Sequence, residues 1–468
     1  MANCRQRTSG NFAILRKNTL PDFWSIAFLG RGENIITSNQ SDFTKITLDN
    51  GLKIMLKEIH TAPLISYWLW YRVGSRNEKA GITGISHWTE HMMFKGTDAF
   101  PNGVLDKTIS RDGGYWNAMT YMDWTTYFST MPADKGELIL RVEADRMQNG
   151  IFASEDVDSE RSVIIAEREG NENSPMFRLD EAVQAAAYQK HAYQYEVIGS
   201  MEDLERINRE DLYTHYKTYY VPNNAVICVA GDFETEAMIK QIKDLFGSIP
   251  RGPELPIVEQ AEPKQKEEKR LTVKGPGETP FLRASYHAPE TTSEDFFILT
   301  VLDSLLTGAS NLNLFGGGIS NKTSLLYKEL VQKEMAVSVA GGLQATIDPF
   351  LYSIVMTIHP NHQPEDLITV LDQQIESVQN KLPEKSALAR AVKQARALFA
   401  YGSESITNQA FWLGFSEMFD DYDWFTSYLD QLAAVTPQDV QRIARKYLRP
   451  ENRILGIYLP DGNGGAQE

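Results

Sequence analysis

Two segments of this chain carry the same pattern 228 positions apart. They are LERINREDLYTHYKTYYVPNNAV from Leu204 and LAAVTPQDVQRIARKYLRPENRI from Leu432. They align without a gap, so that Asp211 matches Asp439, Tyr219 matches Tyr447, Pro222 matches Pro450 and Asn224 matches Asn452. A pattern that recurs at a fixed offset is one structural unit used twice. Each copy opens with a capping residue, Asn208 or Thr436, followed three positions on by an acidic residue; an amphipathic helix and a proline stop come next. Pro437 stands at the first helical position of the second copy, where its missing N–H costs nothing. An apolar run follows each proline, AVICVAGDF at 225–233 and RILGIYLP at 453–460, and reads as a strand. Each half is therefore predicted to end in helix, turn and strand.

Between the copies lies RGPELPIVEQAEPKQKEEKR, residues 251–270, rich in proline and charge and without apolar periodicity, as an exposed linker should be. Asn50-Gly51 within ITLDNGLKIML marks a hairpin, and LISYWLWYRV is apolar on both faces, which places it centrally in a sheet. The predicted class is α+β: two homologous halves, each a mostly antiparallel sheet covered by helices, joined by the linker. The expected divisions are a flexible extension over 1–43, a first α+β domain over 44–250, the linker over 251–270, a second domain over 271–460 and a flexible tail over 461–468.

Composition narrows the function classes. Hydrophobic residues at 42% and charged residues at 23% describe a globular chain. A formal charge of -16 argues against a nucleic-acid partner and is compatible with cationic substrates, or simply with a solvated acidic surface. No apolar run approaches the roughly 18 residues of a membrane span. With only Cys4 and Cys228 there is no disulfide framework, so a reducing compartment, the cytoplasm, is expected. Arg5, Arg7, Arg16 and Lys17 precede FWSIAFLG, which is too short for a secretory core, and the segment is read as an extension rather than an organelle-targeting peptide.

The stretch GISHWTEHMMFKGT, residues 84–97, places two histidines and a glutamate in an otherwise apolar helix. At 100° per residue His87, Glu90, His91 and Phe94 share one face. Histidines at i and i+4 can hold one zinc ion, and the intervening glutamate is close enough to take a proton from a water, the inverted HxxEH arrangement. Zinc needs a third protein ligand. The segment SEDVDSERSVIIAEREGN offers one: with Ser154 as N-cap, Val157, Glu160, Val163, Ile164 and Glu167 fall on a single face, two carboxylates inside an apolar stripe. Buried carboxylates must be paired or metal-bound. Helix geometry leaves open which of Glu160 and Glu167 coordinates, or whether they pair with Arg141 or Arg146.

These residues, together with NGLKIML, VGSRNE, GGYWNAMTYMDWTTYFSTMP, ERSVIIAEREGNENSP, VIGSMEDLERINREDL and YYVPNNAVICVAGDF, resemble the pitrilysin/insulinase-like zinc metallopeptidases, including their short bacterial members and the mitochondrial processing peptidases. The resemblance implies a zinc endopeptidase in which His87, His91 and Glu167 bind Zn2+, Glu90 is the general base and Glu160 lies behind the ligands. It also implies that WNAMT forms a sheet edge gripping an extended peptide around Asn117 and Ala118. In many relatives an arginine and a tyrosine seven positions apart in the second half stabilise the oxyanion. No arginine lies between Asn321 and Gly342 here. The implied partner is a homologous subunit carrying that pair, or a second copy in a homodimer; the alternative is a non-catalytic structural or peptide-binding subunit. The triple glycine of LFGGGISNKTS lacks phosphate-loop spacing and reads as a flexible loop, and His191, His215, His287, His359 and His362 read as surface or core residues.

Overall fold

The computed structural model describes residues 35–36, 43–258, 261–312 and 320–461. Most of the N-terminal extension, the glycine triplet and the tail from 462 lie outside these residues. The first half contributes β1 (Ile35–Ile36), β2 (Thr44–Thr47), β3 (Lys53–Glu58), β4 (Leu64–Tyr71), β5 (Tyr115–Thr120), β6 (Thr125–Pro132) and β7 (Ala225–Gly231). The second half contributes β8 (Lys269–Gly275), β9 (Phe281–His287), β10 (Ala336–Gly342), β11 (Leu351–Ile358) and β12 (Arg453–Pro460). Two residues of the expected extension thus pair with β2, and β8 begins inside the segment read as linker. Glu262 anchors that linker by accepting the backbone N–H groups of Gln189, Lys190 and His191.

The two sheets have one topology. Strand order is β1-β2-β3-β7-β4-β6-β5 in the first and β10-β11-β9-β12-β8 in the second. With β3 matched to β8 and β7 to β12, the orders coincide over the five strands β3-β7-β4-β6-β5, while β1 and β2 have no counterpart among the described residues; each sheet holds one parallel pair there, β3 with β7 and β8 with β12. All other pairs are antiparallel. The repeat read from the sequence is therefore a repeat of α+β architecture. The hairpin at Asn50-Gly51 forms, with Gly51 at φ +91°. The helices Arg209–Tyr219 and Pro437–Tyr447 both start on capping boxes, Asn208 with Asp211 and Thr436 with Asp439.

Each sheet is covered partly by the other half. Helix Ile406–Phe419 of the second half packs on β4 and β7, burying Phe411 and Phe415 against Trp68, Trp70 and Trp124. Reciprocally, helix Pro175–Ala187 of the first half packs on β12 and β8, burying Leu179 and Val183 against Ile454 and Tyr458. This exchange explains why β4 is apolar on both faces: one face meets its own half's helices and the other meets Ile406–Phe419.

Candidate metal centre

The helix Ile85–Met92 starts at Gly84, whose φ of +87° favours glycine and whose Cβ would lie 2.3 Å from the carbonyl of Ile198. No side chain of the N-cap residue satisfies the first turn. Glu78, six residues upstream and buried, does so instead: its carboxylate accepts from the N–H of Gly84 at 2.7 Å and of Ser86 at 2.9 Å. Asp203 ties down the preceding loop through the N–H groups of Gly81 and Thr83 and the Thr83 hydroxyl.

From this fixed start, His87 and His91 project together, their rings 4.6 Å apart. Helix Ser154–Glu172 brings up Glu167, whose Oε2 lies 3.9 Å from His87 Nε2 and 3.7 Å from His91 Nε2. One ligand atom from each of the three residues lies within 4.8 Å of the others. A tetrahedral ion with bonds of about 2.0–2.1 Å holds its ligand atoms roughly 3.4 Å apart, so small side-chain movements close the set. The chemistry of these donors also fits. Burial, with a contribution from the His91 charge, pushes the His87 imidazole down to about 3, leaving it neutral with a lone pair, and its buried Nδ1 has no hydrogen-bond partner among the described residues. His91 Nδ1 is 2.8 Å from Glu160 Oε1, which directs Nε2 towards Glu167. Burial acts to lower His91, but the hydrogen bond to Glu160 and the charges of Glu90, Glu160 and Glu167 outweigh it. Lys95 forms an ion pair with the second oxygen of Glu160.

Glu90 is buried beside the two histidines, and burial raises its carboxyl to about 7 against the opposing pull of a Thr120 hydroxyl that donates to Oε2 at 2.6 Å. Asn117 and Ala118 lie on β5, which among the described residues pairs with β6 alone and so stands at the edge of its sheet. Ala118 N–H is held at 2.9 Å by the side-chain oxygen of its neighbour Asn117 rather than by a strand partner.

Several details differ from the sequence reading. Ser154 is the first helical residue and Ala153 the N-cap, without a side-chain bond; Glu155 and Asp156 in the first turn supply the favourable negative charge instead. Val163 is 49% exposed and lies off the buried stripe, which is made of Val157, Glu160, Ile164 and Arg168. The two carboxylates are not equivalent: the Glu160 side chain is 8% exposed and that of Glu167 43%. Arg141 pairs with Glu137, and Arg146 with Glu143, so neither neutralises Glu160 or Glu167. Phe94 lies beyond the helix end, its ring 4.9 Å from that of Trp116. His191 is buried against Asp348, and His215 is buried with Nε2 3.3 Å from the Ser86 hydroxyl. The sequence reading missed Lys95 and Thr120, which only tertiary contacts place here. It also missed Glu58, His60 and Glu234, an exposed ligand-type group in which His60 already lies between the carboxylates of Glu58 and Asp232.

Comparison with known proteins identifies the family. Residues 53–200 match the family described as insulinase (peptidase family M16), and residues 206–395 match the peptidase M16 inactive domain. The chain belongs to the M16 family of metallopeptidases. Among M16 relatives, it is 28% identical to the zinc protease PqqE of Helicobacter pylori, over 86% of this chain and 90% of that protein. It is 25% identical to the uncharacterized zinc protease YmxG of Bacillus subtilis, over 90% and 98%. A 207-residue stretch is 32% identical to a probable mitochondrial-processing peptidase subunit beta of Arabidopsis thaliana, covering 44% of this chain and 39% of that one. The crystal structure of a protease from Helicobacter pylori superimposes with a TM-score of 0.83 at 27% identity, covering 89% of this chain and 99% of the other. No described helix is long and apolar enough to cross a membrane.

Proposed function

We propose that this M16 chain is a zinc-dependent endopeptidase subunit whose metal ligands are His87, His91 and Glu167 and whose general base is Glu90. The observation that carries the reading is the convergence of two imidazole nitrogens and a carboxylate oxygen beside a buried second carboxylate. A zinc ion in that position supplies Lewis-acid polarisation of a water and of the scissile carbonyl. The chain's own residues do the rest. Glu160 fixes the His91 ring with Nδ1–H towards its carboxylate, and burial keeps His87 neutral. Glu90 takes the proton of the attacking water and returns one to the leaving amine. The edge of β5 accepts an extended peptide as an added strand, with the Asn117 side chain giving up Ala118 N–H to a substrate carbonyl.

The second half lacks the arginine expected for oxyanion stabilisation, so a homologous subunit is proposed to supply it, in a hetero-oligomer rather than a homodimer. That same absence favours one second reading, a subunit that holds peptides without cutting them. One experiment separates the two: zinc content of the purified chain, and cleavage of a quenched peptide by wild type and Glu90→Gln, each with and without a related subunit. Endopeptidase function requires bound zinc and Glu90-dependent turnover that rises on adding the subunit. Bound zinc with no turnover in any mixture would leave the peptide-holding reading standing.

A further inference from the structure

We propose that Thr120 is the positioning residue that fixes the Glu90 carboxylate and couples it to the peptide-gripping strand β5; this rests on the endopeptidase reading above. Thr120 ends β5 and faces Thr125 across the β5–β6 ladder, the two closing a turn sealed by the bond from Tyr121 N–H to the Trp124 carbonyl at 2.8 Å. On a strand, alternate side chains share a face, so Trp116, Ala118 and Thr120 all point towards the ligand helix. Trp116 meets Phe94, Ala118 is buried, and Thr120 donates to Glu90. A peptide that engages the edge of β5 therefore bears on the element that holds the base.

The hydroxyl protons give the arrangement a direction. Thr125 donates to the Val73 carbonyl at 2.9 Å, and Thr120 donates to Glu90 at 2.6 Å, so neither proton lies in the 3.3 Å Thr120–Thr125 contact. Each threonine has one proton and two acceptor sites. Thr125, itself fixed by its bond to the Val73 carbonyl, lies against the Thr120 hydroxyl, so the donor that meets the Glu90 carboxylate is held in place by the strand pair.

Thr120→Val keeps the shape and strand preference of the residue but removes the hydroxyl, and Thr120→Ser restores it. Both are compared with wild type and Glu90→Gln in the zinc-loaded chain with its related subunit. The measurements are kcat, KM, zinc content and affinity for a phosphinic peptide against the uncleavable peptide of the same sequence. Thr120→Val should lose about tenfold to a hundredfold in kcat with KM and zinc content unchanged. Its phosphinic-peptide affinity should fall while plain-peptide affinity holds, and Thr120→Ser should recover both. The proposal is overturned by Thr120→Val within twofold of wild type while Glu90→Gln is dead, or by a loss that serine does not restore. If Glu90→Gln itself leaves turnover unchanged, the endopeptidase reading fails first and this proposal with it.

Discussion

Glu160 and Glu167 stand two helical turns apart, yet one is enclosed and the other opens to solvent. Glu160 has hydrogen-bonded and ionic partners, His91 and Lys95, and together they outweigh the burial that would otherwise raise its carboxyl. Its proposed role is to orient a ligand. Glu160→Ala should weaken zinc binding about 10- to 100-fold without unfolding the chain, measured by chelator competition alongside circular dichroism. An unchanged zinc affinity would remove Glu160 from the site. His87, Glu90 and His91 were legible in the sequence because their convergence depends only on the helical repeat. The inequality of Glu160 and Glu167 was not, since it depends on which end of their helix the cleft leaves open. Thr120 was hidden for a related reason: it meets Glu90 across 30 residues, and a threonine ending a strand carries no signal of its own.

Local capping decided how well each helix could be read. Asn208 with Asp211 and Thr436 with Asp439 lie three residues apart and were visible in the sequence as starts. The ligand helix has no such local cap, and its first turn relies on Glu78 arriving from a neighbouring loop. Burial raises the Glu78 carboxyl to about 7 even though the N–H groups of Ser86 and Gly84 favour its charged form. Removing that acceptor strands two buried donors. Glu78→Ala is expected to cost about 1–3 kcal/mol of stability. The first turn, residues 84–86, should also exchange its amide hydrogens faster, as read by hydrogen-exchange mass spectrometry. Exchange as slow as in wild type would mean that the close approach of Gly84 to the Ile198 carbonyl alone fixes the helix start.

The two-half organisation was legible because the repeat is a property of sequence alone, but the exchange of helices between the halves was not, because an amphipathic helix does not say whose sheet it covers. Polar contacts reinforce the exchange. Glu417, on Ile406–Phe419, has a fully buried side chain paired with Lys45 and Lys53 of the first sheet. Asp348 of the second half accepts from His191 and Arg76 of the first. Burial alone would raise Asp348, but those two partners prevail and hold it at about 2. Because its folded pKa is depressed below the ordinary value near 3.8, the stabilisation is full above about pH 4 and lost as pH falls towards 2. Asp348→Asn should therefore melt below wild type at neutral pH, and the gap should close between about pH 4 and pH 2 in thermal scans. The larger consequence concerns cooperativity. Cutting the chain at the linker strips helix Ile406–Phe419 from the first sheet and Pro175–Ala187 from the second, exposing Trp68 and Trp70 on one side and Ile454 and Tyr458 on the other. Chains of this length usually unfold domain by domain, whereas shared cores bind both halves into a single transition. The intact chain should give one calorimetric peak, and residues 43–250 and 269–461 expressed separately should each remain unfolded or aggregate, regaining a cooperative melt only when mixed. Two resolved peaks, or a first half that melts cooperatively alone, would show that each sheet can bury its outer face without the other half.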